Sequence, residues 1–324
     1  MVGAVHDGSA FPSGPLARSS APVSTAIRVV VNAAAGTAAQ RDVVAGLAAH
    51  FDYAGVKVEV ERVEPGAELI TALRRAVSAR PQIIVIGGGD GTLNSAAQLM
   101  VGTGITLGIL PLGTLNHFAK DLHVPLDITA AVKNIATGRI ATIDVGMVND
   151  RYFLNNSGLG LYPRVVRKRD VERHRLRLGK WPAFVFAAHS VLRRYPFLDV
   201  RLSVDGMGIA RRTPFVFIGN NRYEMEGFRI GTRDCLDRGE LSLYVANRAT
   251  RLGLLKLALR ALFRRLDQTR DFETVCAKEI AIDTGRRRLH VATDGEVSIM
   301  PTPLRYSVLP GALSVIVPTT EIAI

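Results

Sequence analysis

Four glycines in five positions, Gly87-Gly88-Gly89-Asp90-Gly91, followed by Thr92, form the stretch of this sequence best suited to chemistry. With no Cβ in the way, backbone N–H groups there can close on a bound group. A helix opening near Leu93-Asn94 adds unpaired donors and the positive end of its dipole. A phosphate is what such a cradle holds. Asp90 is unsuited to touching phosphate and is expected to partner a cation or to order the loop by a hydrogen bond. A plain strand-to-helix turn rarely needs so many glycines. The spacing gives neither G-x-G-x-x-G nor G-x-x-x-x-G-K-[ST], and the His-Arg-Asp and Asp-Phe-Gly signatures are missing.

One strand–helix unit later comes Pro111-Leu112-Gly113-Thr114-Leu115-Asn116-His117-Phe118-Ala119. In a parallel sheet both loops leave the same carboxyl edge, where ligands of open α/β folds bind. Thr114 and Asn116 are expected to supply side-chain donors to that ligand. Near the C-terminus, Asp294-Gly295-Glu296 reads on its own as a hairpin turn with an exposed glutamate.

The elements that must position these residues follow from periodicity. Short apolar or alternating runs at 27–31, 56–63, 83–86 and 106–110 read as strands, and 68–78 places Leu69, Ile70, Leu73 and Ala76 on one helical face. Strands separated by helices imply an α/β domain with a mostly parallel sheet over 26–143. Beyond it, strand patterns recur at 144–148, 151–155, 200–204, 214–218, 240–245, 279–282, 289–293 and 304–308, divided by turns such as Asp205-Gly206 and Asp294-Gly295. That pattern predicts a β-sandwich domain over 144–309. Helical stretches at 165–195 and 251–265 interrupt it. A last strand at 313–317, within 310–324, is expected to return to the first domain. No internal repeat is found.

Taken in order, these segments resemble the diacylglycerol kinase catalytic-domain superfamily, which includes ceramide and sphingosine kinases. The resemblance rests on 87–92 with 110–119, on Asn32-Ala33-Ala34-Ala35-Gly36, on Ile143-Asp144-Val145-Gly146, on 153–160 and on Ala292-Thr293-Asp294-Gly295-Glu296. It implies ATP in an interdomain cleft, with Gly88, Gly89, Asp90, Gly91, Thr92 and Thr114 at its phosphates or ribose and Asn32 bordering them. Glu296 would be the general base for a lipid hydroxyl, Asp294 would lie near a Mg²⁺ ion, and Asp90 would complete the catalytic set. The sequence departs from the pattern in three places. Leu236-Asp237-Arg238-Gly239 stands where relatives carry Asp-Asp-Gly, and a guanidinium does not belong in a cation's first shell. The accessory metal site at Asp237 is therefore expected to be weakened or absent. Residues 62–66 lack a threonine that relatives place near ATP, and Asn32-Ala33 replaces Asn-Pro.

The implied reaction takes a lipid alcohol, diacylglycerol-like by first expectation. A NAD kinase-like enzyme shares the Gly-Gly-Asp-Gly loop but not Pro-Leu-Gly-Thr-x-Asn or the Asp-Gly-Glu. A catalytically silent nucleotide- or lipid-binding protein is favoured by Arg238 and opposed by Asp90, Thr114 and Glu296.

Composition sets the outer bounds. The 324 residues suffice for two domains. Lys and Arg outnumber Asp and Glu by 41 to 29, a net +12 that favours nucleotides or anionic bilayers. Lys256, Arg260 and Arg264 recur four apart among leucines, and a second basic cluster spans 164–180. Either could meet anionic headgroups or be a solvated helix face. No nucleic-acid module accompanies the charge, so nucleic acid is not an expected partner. The pattern leaves the oligomeric state open. No run reaches the roughly 20 apolar residues of a membrane span. Cys235 and Cys276 show no metal or disulfide spacing. Residues 1–25, rich in Ser, Ala, Gly and Pro, are expected to be a disordered tail on a cytoplasmic protein working peripherally at the inner membrane face.

Overall fold

A computed structural model of the chain describes residues 27–36, 45–160, 197–226, 229–233, 235–246 and 272–319. The tail at 1–25 and the helical stretches at 165–195 and 251–265 lie outside the described residues, and so do the basic clusters they carry.

Four parallel strands open the fold: β1 (Ile27–Asn32), β2 (Val58–Val63), β3 (Ile83–Gly88) and β4 (Thr106–Pro111), in the order β2-β1-β3-β4. β3 and β4 are apolar at almost every position because both of their faces are covered, whereas β2 alternates and lies at the edge. The crossover helices are α1 (Leu47–Tyr53), α2 (Ala67–Ser78), α3 (Asp90–Met100), α4 (His117–Asp121) and α5 (Ile128–Thr137). Val30, Ile84, Ile86, Leu107 and Ile109 pack on one face with Leu69, Leu73, Leu93 and Met100 of α2 and α3. Val29, Val31 and Val85 pack on the other with Leu47 and Phe51 of α1 and Val132 and Ile135 of α5. In α2 the buried stripe is Leu69, Ala72, Leu73 and Ala76, so Ala72 takes the place expected for Ile70.

The antiparallel half follows: β5 (Arg139–Val148), β6 (Arg151–Phe153), β7 (Asn156–Gly160), β8 (Leu198–Val204), β9 (Met207–Thr213), β10 (Phe215–Asn220), β11 (Tyr223–Glu226), β12 (Arg229–Arg233), β13 (Leu241–Ala246), β14 (Phe272–Ala277), β15 (Glu279–Asp283), β16 (Arg288–Thr293), β17 (Glu296–Pro301) and β18 (Leu304–Val317). One sheet runs β14-β13-β10-β7-β16-β17. It packs face to face with β8, β15 and the first half of β18 through Val200, Leu202, Ile218, Leu243, Ile282, Val291 and Leu304. This is a sandwich core.

Two long strands join the halves. β5 runs unbroken through positions 143 and 144, where the sequence pattern changes, and pairs with β18 from Val148–Tyr306 to Arg139–Val317. Ser314 and Val315 of β18 also pair parallel to Thr106 and Leu107 of β4. The parallel sheet and one sandwich sheet are therefore a single ten-stranded sheet. β18 bends between Leu309 and Leu313, at Pro310-Gly311, where the pairing register shifts.

Candidate functional site

The first loop leaves β3 and turns directly into α3, which opens at Asp90 rather than near Leu93. The Leu93 N–H already bonds the Gly89 carbonyl, so Asp90, Gly91 and Thr92 form the first turn. The second loop leaves β4 beside it, because β3 and β4 pair in register from Ile83–Thr106 to Gly88–Pro111. The two loops then touch backbone to backbone. A Cβ on Gly113 would sit 2.5 Å from the Gly89 Cα and 2.6 Å from Asn116 Oδ1, so no larger residue fits without prising the loops apart. A Cβ on Gly88 would strike Thr92.

Asp90 fastens the loops electrostatically. Its Oδ2 and Oδ1 accept the N–H groups of His117 (3.2 Å) and Phe118 (3.1 Å), the unpaired donors at the start of α4. Of the two expectations for Asp90, loop ordering is what these bonds perform. Asn32, at the end of β1, donates from Nδ2 to Thr92 Oγ1 (3.1 Å), and its Oδ1 accepts the Ala34 N–H (3.0 Å). Asn32 and Thr92 are thus coupled across 60 residues. Gly91 and Thr114 are exposed, Gly89 and Asp90 half-buried, and Gly88 buried.

Asn116 departs from its expected use. Its Oδ1 accepts the Gly113 N–H (2.9 Å), and its Nδ2 donates to the carbonyls of Gly113 (2.8 Å) and Pro111 (3.2 Å). The side chain is buried and occupied within its own loop, so it shapes the turn instead of offering donors to a ligand. Its left-handed backbone, φ 50°, is one that asparagine tolerates.

From the other half of the chain, the β16–β17 hairpin brings Asp294 and Glu296. Asp294-Gly295 forms its two-residue turn, with φ 47° and 85°, both positive as the tight hairpin turn requires. Glu296 opens β17, and its Oε1 lies 3.9 Å from where a Cβ on Gly91 would be. The glycine turn and the C-terminal glutamate, 205 residues apart by their numbers (296 less 91), therefore face each other. Arg151 of β6 forms an ion pair with Glu296 Oε2, while its own Nε is buried with no hydrogen-bond partner.

Asp294 is engaged elsewhere. Its carboxylate accepts the N–H groups of Leu154 (2.7 Å), Asn155 (2.8 Å) and Asn156 (3.0 Å), the turn between β6 and β7. The residue as a whole is half-buried, and its carboxyl lies among densely packed protein atoms. That burial raises its pKa from 3.8 to about 6, against the pull of the three N–H groups and of Arg233. Its oxygens accept three N–H groups of the 154–156 backbone, so Asp294 anchors the hairpin to the turn between β6 and β7.

The loop at 236–240 is likewise held by hydrogen bonds. Asp144, 1% exposed, accepts the N–H of Gly239 (2.6 Å), that of Gly311 (3.0 Å) and the Asn221 amide (3.2 Å). The Arg238 N–H donates to Asn221 Oδ1 (3.2 Å). Asp237 is exposed. Among the described residues no group of three His, Cys, Asp or Glu is placed to hold a metal ion. No helix there is long and apolar enough to cross a membrane.

Sequence reasoning missed Asp121, Asp144, Arg151 and Arg233. The partners of each are remote in sequence. Only Asp144 carried a local signal, the Ile143-Asp144-Val145-Gly146 string.

Comparison with known proteins agrees with this architecture. A family described as the diacylglycerol kinase catalytic domain matches residues 26–148, and the YegS C-terminal NAD kinase beta sandwich-like domain matches 162–317. An uncharacterized protein of Synechocystis is 27% identical over 269 residues, covering 80% of this chain and 61% of its own length. The chain thus spans less than two thirds of that relative. A diacylglycerol kinase of Staphylococcus epidermidis is 26% identical over 279 residues, covering 83% of this chain and 85% of its own. The crystal structure of a diacylglycerol kinase from Bacillus anthracis superposes with a TM-score of 0.68 at 22% identity, over 91% of this chain and 97% of that one, a likeness of fold.

Proposed function

We propose that this chain, which belongs to the diacylglycerol kinase catalytic-domain superfamily, transfers the γ-phosphate of ATP to the hydroxyl of a lipid alcohol. It is a lipid kinase, and a diacylglycerol-like acceptor is the first candidate, as the names of its relatives suggest. The observation that carries the reading is the apposition of Glu296 to Gly91, which sets a carboxylate beside a backbone shaped for phosphate.

The roles follow from the placement. The N–H groups of the turn at 88–92 and the start of α3 take the phosphate chain, with Thr114 exposed beside them. Asn32 and Thr92 brace that turn. Glu296 accepts the acceptor's proton as its oxygen attacks, since a carboxylate within hydrogen-bond reach of the nucleophile is what the step needs. Arg151 fixes one Glu296 oxygen and leaves the other toward Gly91. Mg²⁺ bound with ATP would neutralise phosphate charge. Asp90 fits as its protein partner, because a carboxylate has about four acceptor sites and only two backbone donors occupy this one. The net charge of +12 suits peripheral work at an anionic membrane surface, on the cytoplasmic side.

The test is transfer of label from γ-labelled ATP to a lipid panel, run with wild type, Glu296→Gln and Asp90→Ala. Label should enter a chloroform-soluble product and fall steeply, to a residual rate, in both variants. Label appearing in NADP when NAD is offered would instead make this a NAD kinase. ATP binding with no labelled product from any acceptor would make it a silent binder.

A further inference from the structure

Arg233 ends β12, in the half of the chain that carries Glu296, yet its side chain is 0% exposed and reaches into the other half. Its Nε and Nη2 both donate to Asp121 Oδ2, at 2.9 and 2.7 Å. Nη1 donates to the carbonyls of Leu154 (2.7 Å) and Asn220 (3.1 Å), and Nη2 also to Asn155 Oδ1 (3.0 Å). These bonds use all five N–H groups a guanidinium possesses. The Tyr223 ring lies 5.4 Å beneath it.

The partners on either side lead to the two parts of the site. Asp121 closes α4, and the first N–H groups of that same helix hold Asp90 in the glycine turn. Leu154 and Asn155, which Arg233 grips by a carbonyl and a side-chain oxygen, give their own N–H groups to Asp294. Charge-assisted hydrogen bonds, joined by short stretches of covalent chain, thus lead from Asp90 along α4 to Asp121, through Arg233 to the 154–156 turn, and on to Asp294, two residues before Glu296.

Stability alone does not call for this arrangement. Burying two charges costs several kcal/mol of hydration, and a buried ion pair can often be exchanged for apolar side chains at no loss. What apolar packing cannot reproduce is five directed bonds from one rigid, planar group. We propose that Arg233 is a positioning residue for phosphoryl transfer, setting the separation between the glycine turn and Glu296. This rests on the reading of Glu296 as the base.

The test pairs Asp121→Leu/Arg233→Met, which removes both charges together, with the milder Asn155→Ala, which removes one bond. Measured for each are the melting temperature, KM for ATP and kcat for labelled lipid, alone and combined with Glu296→Gln. The double variant should keep KM for ATP within about threefold and lose about 100-fold in kcat, the scale of a displacement near 1 Å. Asn155→Ala should lose kcat in the same sense and by less. Neither change should lower kcat further once Glu296 is Gln, because residues acting through one group are non-additive. Wild-type kcat in the double variant, or in Asn155→Ala if the double variant does not fold, overturns the proposal. So does a loss that multiplies in full with that of Glu296→Gln. Full activity of Glu296→Gln alone is a different failure, that of the base assignment, and is read before any Arg233 variant.

Discussion

Replacing Asp294 by Asn should remove a pH-dependent loss of stability from the wild-type protein. Two forces act on this carboxyl in opposite directions. Three backbone N–H groups favour the ionised form, and enclosure away from water disfavours it. Enclosure wins, raising the pKa from 3.8 to about 6. The folded chain then holds this proton more tightly than the unfolded chain does. Its contribution to stability is complete below about pH 4 and is lost as pH rises through about 6. Two pKa units at about 1.4 kcal/mol each give about 3 kcal/mol over the whole window. About 2 kcal/mol of that falls between pH 4.5 and 7.5. In Asp294→Asn the amide oxygen can keep Asn155 and Asn156, while the NH₂ group would confront the Leu154 N–H. That unmade bond adds a pH-independent cost of about 1–3 kcal/mol. Urea unfolding of both proteins across this range separates the two effects. The stability difference should move by about 2 kcal/mol in favour of the variant as pH rises. A flat difference would show that the N–H groups fully offset burial, and one moving the other way that they outweigh it; in either case the argument would fail.

Gly113→Ala should raise KM for ATP by about tenfold or more and cost about 1–3 kcal/mol of stability, since its Cβ has no room beside Gly89; steady-state kinetics and urea unfolding check both. Arg151→Met should change stability by less than about 1 kcal/mol, because its ion pair with Glu296 is partly exposed. The same variant should lower kcat while leaving KM for ATP near wild type; equal loss in both would mean that Arg151 binds nucleotide instead. Chelation by EDTA should shift the melting temperature of the nucleotide-free protein by less than about 2 °C, because Asp144 and Asn221 hold the 236–240 loop by direct hydrogen bonds. A larger fall would reveal a structural cation there.

The sequence makes plain whatever is decided by neighbours along the chain. The strand at 83–86 and the Asp-Gly hairpin are local patterns and lie where those patterns say, while the helix after the glycines opens earlier than expected, at Asp90. The buried stripe of α2 differs from its periodicity at one position only. β17 escapes notice because Glu296-Val297-Ser298-Ile299-Met300-Pro301 mixes polar and apolar residues at the rim of a sheet. β9, Met207–Thr213, is exposed along most of its length and so carries no hydrophobic alternation. Asn116 and Asp294 looked like ligand-facing residues because a polar side chain in a loop gives no hint of where its bonds go. Asn116 satisfies its own turn, while Asp294 meets backbone donors about 140 residues away in the chain. No local string could report that.

Among the described residues, the buried charged side chains gather along one line of the molecule. The two cores on the faces of the parallel sheet and the sandwich core are formed by aliphatic and aromatic side chains. Asp121, Asp144, Arg233 and the enclosed Asp294 carboxyl instead follow the seam that β5 and β18 cross. Departures from an all-apolar interior are expected where position matters more than stability. A hinge opening at that seam would have to break the Arg233–Asp121 pair, leaving two charges unpartnered in the interior at a cost of about 3–5 kcal/mol. It would also strain two continuous strands. The cheaper course is to keep Glu296 fixed over Gly91 and let the acceptor come to it. Under the proposed assignment of Glu296 as base, the seam favours a small, fixed separation between it and the phosphate over closure of one half of the chain upon the other.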